Sequence, residues 1–281
     1  MPPGILSQLR PSIPPEVEKE IEAGVPWSTE IRPDLAPAPR PGQLARLTPP
    51  PQPLPWQTPR PNARQRVYTL KARLAEIAPG ASIRLAAKFE AAKAAWPPAE
   101  LALLAIKDEK VLELHARPTG GSWKLIHRYR VLAASGGAGP KLQRGDKQVP
   151  EGIYAISFLN PNSAYHVSLR VNFPNAFDRQ MAAKDARKDL GGDIMIHGKN
   201  LSAGCLAMGD EAVEELFVLA AQTGLGNIKL IIAPTDLREH AGPAVAAGHP
   251  LWLPKLYADI ATAMADFRQP RSKGLLSFFM Q

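Results

Sequence analysis

The chain has 281 residues, room for one large domain or two small ones around a packed core, and its 45% apolar and 21% charged composition marks it as mostly globular. No apolar run approaches the roughly 18 residues that span a bilayer, and a single cysteine, Cys205, excludes an intramolecular disulfide framework. The formal charge of +8 falls wholly in residues 62–281; it favours an anionic partner, although no RNA-binding signature, zinc-finger spacing or dense Lys/Arg block supports nucleic acid.

Residues 1–61 hold 17 of the 30 prolines and read as a polyproline-like arm or linker, with one short helix expected near Glu16 to Ala23. Trp27, Leu44, Leu47 and Trp56 give that arm enough apolar side chains for partial docking. Met1 to Arg10 lacks a basic segment followed by an apolar one, so no signal peptide is read in this chain. Residues 62–98 read as helical. Val67, Leu70, Leu74 and Ile77 form a stripe over Arg64 to Ile77; Pro79-Gly80 is expected to break it, and Ser82 to cap a second helix running to about Trp96.

The period then changes. Leu101 to Ile106 and Val111 to Ala116 flank a polar turn and read as a hairpin. Strands are expected at Trp123 to Leu132, Gly152 to Leu159, Tyr165 to Phe173, Asp193 to His197 and Asn227 to Ala233, with Asp178-Arg179 in a loop. A helix is expected from Asp210 as N-cap to Gly224. A C-terminal helix is expected from Pro254, with Leu256, Tyr257, Ile260, Ala261, Met264 and Phe267 as its apolar stripe. Strands come first and helices are few, which gives a mainly β core with attached helices, an α+β class. The expected division is an arm at 1–61, a helical segment at 62–98, a catalytic segment at 99–236 and a C-terminal helical extension at 237–281. The last residues, Leu275 to Met280, form an apolar tail that either packs on the domain or touches a membrane.

The chemistry concentrates between Gly191 and Met208. A strand ends at His197, Gly198 permits a sharp departure, and Ser202, Gly204 and Cys205 follow. Cysteine catalysis needs a thiolate, a base within reach and oxyanion donors. His197 is the candidate base and Cys205 the candidate nucleophile. The N–H groups of Gly204 and Cys205 are the candidate oxyanion donors. Ser202 and Gly198 shape the loop, and the start of the following helix is expected to lower the thiol pKa. The bland alternative is a small buried cysteine and a satisfied histidine. No close cluster of histidines or carboxylates supports a metal, and no cofactor is implied.

His197-Gly198 followed by Ser202-x-Gly204-Cys205 resembles the active-site signature of the L,D-transpeptidase (YkuD-type) catalytic domain. Ser135-Gly136, Gly139-Pro140-Lys141, Gly145-Asp146, Pro150-Glu151-Gly152-x-Tyr154 and His166-x-Ser168-x-Arg170-x-Asn172-x-Pro174-Asn175 resemble the same family, over about residues 100–235. The resemblance implies a β-sandwich or barrel catalytic core. It also implies a periplasmic or cell-envelope enzyme that acts on peptidoglycan stem peptides. Cys205 would attack at the L-centre of the third stem residue, diaminopimelate, and His197 would hold the thiolate and protonate the leaving amine. Where most members have an arginine two positions after the cysteine, this chain has Ala207 and then Met208. That pattern is similar to the YafK-type subgroup, and it shifts the expectation from 3–3 crosslinking towards hydrolysis or detachment of a peptidoglycan-linked lipoprotein.

Arg170 and His166, four apart on one expected strand, are assigned to one face and to substrate carboxylates. Lys199 is a further substrate-side candidate. His115, His127, His240 and His249 are assigned ordinary surface or packing roles. The alternatives in other classes are a non-catalytic peptidoglycan-binding protein, a wall-directed toxin and a redox protein. The last is weakest, because no second cysteine could resolve a sulfenic acid.

Overall fold

In a computed structural model of the protein, the described residues are 67–243 and 249–268. The arm, its short helix and the apolar tail therefore lie outside the described residues. Four helices are described, α1 (Leu70–Ala91), α2 (Ala176–Lys184), α3 (Asp210–Thr223) and α4 (Leu253–Met264). With them are eight strands: β1 (Glu100–Ile106), β2 (Val111–Arg117), β3 (Lys124–Arg130), β4 (Gly152–Asn160), β5 (Ser168–Val171), β6 (Met195–His197), β7 (Leu206–Ala207) and β8 (Ile228–Ala233). This is the expected α+β class.

The strands form one mixed sheet in the order β3-β2-β1-β8-β4-β5-β6-β7. The β1–β2 hairpin pairs Glu100 with Arg117 through to Ile106 with Val111. β1 and β8 run parallel, whereas β8–β4, β4–β5 and β5–β6 are antiparallel. The two ends of this order meet. Just past β3, Ala133 bridges Ala207 of β7, with Leu132 N–H donating to Ala207 O at 2.8 Å and Ala207 N–H to Ala133 O at 2.9 Å. The sheet thus curls until the chain just past β3 reaches β7, a partial, barrel-like closure through one bridge.

Strand alternation divides the interior into two cores. Leu101, Leu103 and Ala105 face one side with Leu230 and Ile232, beneath Leu74, Leu85 and Phe89 of α1 and Leu216 and Phe217 of α3. Ala102, Leu104, Ile106 and Ile231 face the other, beneath Leu256, Ile260, Met264 and Phe267. From Leu101 to Ile106 β1 is therefore apolar at every position, not alternating, because both of its faces are covered.

Three helices differ from expectation. α1 runs without interruption through Pro79. A mid-helix proline costs about 3 kcal/mol, but each large side chain the helix buries contributes about 1.5–3 kcal/mol, and Leu70, Leu74, Ile77, Leu85 and Phe89 are all buried. Thr69 Oγ1 caps it by accepting from Ala72 N–H at 3.1 Å, and Val67 stands before it, exposed. Second, Asp178-Arg179 lies in α2, whose capping box joins Asn175 and Asp178 through reciprocal backbone bonds of 3.0 and 2.8 Å. Third, α3 has Gly209 as its N-cap, and Asp210, expected there, is its first helical residue.

Candidate active site

β6 lies between β5 and β7, with Ser168 opposite His197 and Arg170 opposite Met195 on one side, and Ile196 beside Leu206 and His197 beside Ala207 on the other. One position before β7, Cys205 comes alongside Met195, whose N–H donates to Cys205 Sγ at 3.4 Å. Because β6 and β7 run parallel, Cys205 and His197 project from the same face, two positions apart along it. Sγ also contacts Asp193 O at 3.6 Å. Among the described residues no hydrogen bond joins the thiol to the imidazole.

His197 is 2% exposed. Its Nδ1 lies 2.7 Å from Gly198 O. A carbonyl only accepts, so Nδ1 carries the proton and Nε2 is the free acceptor. The Tyr165 ring lies against the imidazole at 4.6 Å between centroids. Burial pushes the imidazole below its ordinary value, against the pull of Gly198 O. Burial likewise pushes the Cys205 thiol up; the Met195 N–H and Lys141 oppose this and Asp193 adds to it. The expectation of a thiol lowered by the helix start is therefore corrected: desolvation leads and the thiol is raised, so at rest the thiol is protonated and the imidazole neutral.

The loop before Cys205 is closed by two hydroxyls. Ser202 Oγ accepts from Cys205 N–H at 3.0 Å and donates to Cys205 O at 2.6 Å. Gly204 N–H donates to Ser135 Oγ at 2.6 Å, and Ser135 Oγ donates to Lys147 O. The two N–H groups expected to meet an oxyanion are thus already engaged in this conformation. Gly204 takes φ +97°, a conformation that favours glycine.

The 135–148 loop that presses on Gly204 is held by Asp146. Its carboxylate accepts from Leu142, Gln143 and Gln148 N–H and from Lys141 Nζ. Burial alone would raise the Asp146 carboxyl; the bond from Lys141 and the three N–H groups outweigh it and hold the pKa of Asp146 below its ordinary value. Sequence reasoning gave Ser135, Lys141, Asp146, Tyr165 and Asp193 no role of their own. The first three lie in stretches matching the family pattern, which was the available signal.

The three substrate-side candidates separate. Arg170 Nη2 bonds Asp193 Oδ1 at 2.8 Å, half-exposed, on the residue whose carbonyl touches Sγ. Lys199 is turned onto Asp210, which accepts from both its N–H and its ammonium. His166 precedes β5, takes φ +80° and does not share a strand face with Arg170. Its ring nitrogens are held by Arg73 and Glu214. Gly198 sits where a Cβ would come within 2.6 Å of Tyr165 O and 2.5 Å of Asp210 Oδ1, so only glycine fits. Of the other histidines, His115 is fully buried against Glu113 and His127 rests on Tyr129.

Residues 110–228 match the model of the L,D-transpeptidase catalytic domain, YkuD. Over that segment the chain is similar to YkuD-type L,D-transpeptidase catalytic domains. Over 113 residues it is 37% identical to the protein named "Putative L,D-transpeptidase YafK" in Escherichia coli K12, and equally to that of strain O157:H7; the match covers 40% of this chain and 43% of each relative. The matched YkuD-type segment thus spans less than half the length of those curated relatives. The helical cell shape determining protein Pgp2 of Campylobacter jejuni is 20% identical, with a TM-score of 0.40 over 60% of this chain and 56% of that one. Bd1075 of Bdellovibrio bacteriovorus is 20% identical, with a TM-score of 0.36 over 59% and 56%.

Proposed function

We propose that this chain is a cysteine-dependent acyl-transfer enzyme of the cell envelope that acts on peptidoglycan stem peptides. It cleaves, through a Cys205 thioester, the bond from the L-centre of the third residue (diaminopimelate) to a terminal residue or a linked lipoprotein. The observation that carries the reading is the β6–β7 pairing, which sets Cys205 and His197 on one face within a YkuD-type domain.

The resting protonation states give the order of events. His197 Nε2, the free acceptor, takes the thiol proton as Sγ attacks the carbonyl carbon. The C–S bond forms, and the tetrahedral oxyanion needs donors. Cys205 N–H and Gly204 N–H supply them once Ser202 Oγ and Ser135 Oγ release them. The C–N bond then breaks, and the imidazolium returns its proton to the departing amine. Water attacking the thioester completes a hydrolysis; an amine completes a transpeptidation. Arg170 stands on the rim beside Asp193 and offers a guanidinium to a stem-peptide carboxylate. The similarity to YafK and the alanine at position 207 favour the hydrolytic or lipoprotein-detaching outcome. The family description itself supports the second reading, 3–3 crosslinking or D-amino-acid exchange.

Mass spectrometry of muropeptides after incubation with sacculi, some carrying linked lipoprotein, tests this beside Cys205→Ala. Loss of the lipoprotein remnant or a terminal D-residue without new crosslinks is the expected result. New diaminopimelate–diaminopimelate crosslinks would establish the transpeptidase reading. Full activity in Cys205→Ala would overturn the mechanism, and an inert parent chain would point to a non-catalytic binding protein.

A further inference from the structure

We propose that Arg73, on a helix outside the family-matched segment, is a positioning residue for the His197 base, acting through the turn at Tyr165-His166. The inference rests on His197 having the role proposed above.

Arg73 belongs to α1, and the family match begins only at residue 110. Its side chain is 8% exposed. Nη1 donates to Glu76 Oε2 at 3.1 Å, and Nη2 reaches His166 Nδ1 at 2.8 Å and His166 O at 3.4 Å. A guanidinium only donates, so His166 Nδ1 is an acceptor and its proton sits on Nε2. That Nε2–H donates to Glu214 Oε1 at 2.8 Å, and Glu214 is in turn held by Arg84, a second residue of α1.

The grip falls on a residue under backbone strain. His166 takes φ +80°, which a residue with a Cβ adopts only when its surroundings enforce it. The reversal has a use. It carries the Tyr165 ring onto the His197 imidazole, at 4.6 Å and 35° between planes, and it aims Tyr165 O at Gly198 N–H, 3.0 Å away. Gly198 O in turn fixes Nδ1 of His197. One continuous set of contacts therefore runs from Arg73 through His166 and Tyr165 to both the face and the tautomer of the base. With both ring nitrogens engaged, His166 serves this turn and has none free for substrate.

The test is the side-chain NMR spectrum of His197 in the full chain, assigned by a His197→Gln variant. In the parent, the Tyr165 ring shifts the His197 carbon-bound protons upfield. Tyr165→Leu, at a position 43% exposed, removes that shift without touching the core. Arg73→Met should move the same signals most of the way to their Tyr165→Leu positions, with circular dichroism unchanged. Arg73→Met/Tyr165→Leu should match Tyr165→Leu alone. If Arg73→Met fails to fold, Arg73→Lys keeps the charge and loses the fork, and should give at least half the displacement. Carbamidomethylation of Cys205 should slow about ten- to a hundredfold in each single variant and no further in the double. His197 signals that stay at parent positions in the folded Arg73 variants, or effects of Arg73 and Tyr165 that simply add, would overturn the proposal. The spectrum requires no turnover, so this outcome is distinct from activity surviving in Cys205→Ala, which would sink the assigned reaction instead.

Discussion

Burial works against Cys205 as a free nucleophile and in favour of a concerted one. A thiol removed from water resists ionisation, and an imidazole removed from water resists protonation; both shifts occur here, each led by desolvation. Neither group should be charged at neutral pH in the absence of substrate. The expected consequence is a carbamidomethylation rate that keeps rising beyond pH 9 and has its midpoint above that of a cysteine in a denatured chain, about 8.5. Mass-spectrometric rates from pH 6 to 10 check this; a plateau reached by pH 7 would show a stable thiolate and reverse the order of proton transfer. The same shifts fix two signs in the stability profile. The Cys205 contribution is lost as pH rises above the ordinary thiol value, because only the unfolded chain ionises there. The His197 contribution is lost as pH falls below the ordinary imidazole value, because the unfolded chain takes up the proton first.

At the scale of elements, the β6–β7 seam explains why residue 207 is small. Ala207 is fully buried, sits beside His197, and exchanges backbone hydrogen bonds with Ala133 where the sheet closes. An arginine there would have to push a charged chain into that closure. Ala207→Arg is expected to lose about 3 kcal/mol in urea unfolding and to gain no crosslinking activity; a stable variant that crosslinks would show room for the common family residue. Long or strongly patterned elements were legible in the sequence: the β1–β2 hairpin, the α4 stripe and the sharp departure at Gly198. The motif linking His197 to Cys205 was legible as well, because it is local. β7 was not, since two residues carry no periodicity. The uninterrupted α1 was not, since tertiary burial overrode the local proline signal. α2 could have been read from Asn175-x-x-Asp178, a variant of the capping box. The occupied N–H of Gly204 depends on Ser135, which is 69 residues away, and no spacing rule reaches that far.

Across the whole molecule, one buried carboxylate joins the sheet to the C-terminal end of the described chain. Glu113 of β2 accepts both guanidinium nitrogens of Arg238 at 2.8 and 3.0 Å, His115 Nε2 at 2.8 Å and Arg128 at 2.7 Å. Arg238 also bonds Asp236 and donates to Phe267 O at 3.1 Å, just beyond α4. Burial alone would raise the Glu113 carboxyl; the bonds from His115 and Arg238 outweigh it and hold the pKa down at about 2. A carboxylate depressed on folding contributes stability that is present above its unfolded value, 4.5, and is lost as pH falls through the folded one. Urea unfolding of the parent should therefore weaken between pH 4.5 and 2. Glu113→Gln should flatten that part of the profile. It should also cost about 3–5 kcal/mol at pH 7, because Arg238 would remain buried with only Asp236 to balance it. Glu113 is held by His115, Arg128 and Arg238, none of which bonds Cys205 or His197, so any variant that still folds should keep its carbamidomethylation profile. A Glu113→Gln protein as stable as the parent and with the same acid limb would mean that the clasp is neutral in energy, leaving the α4 apolar face alone to hold the C-terminal helix against β1 and β8.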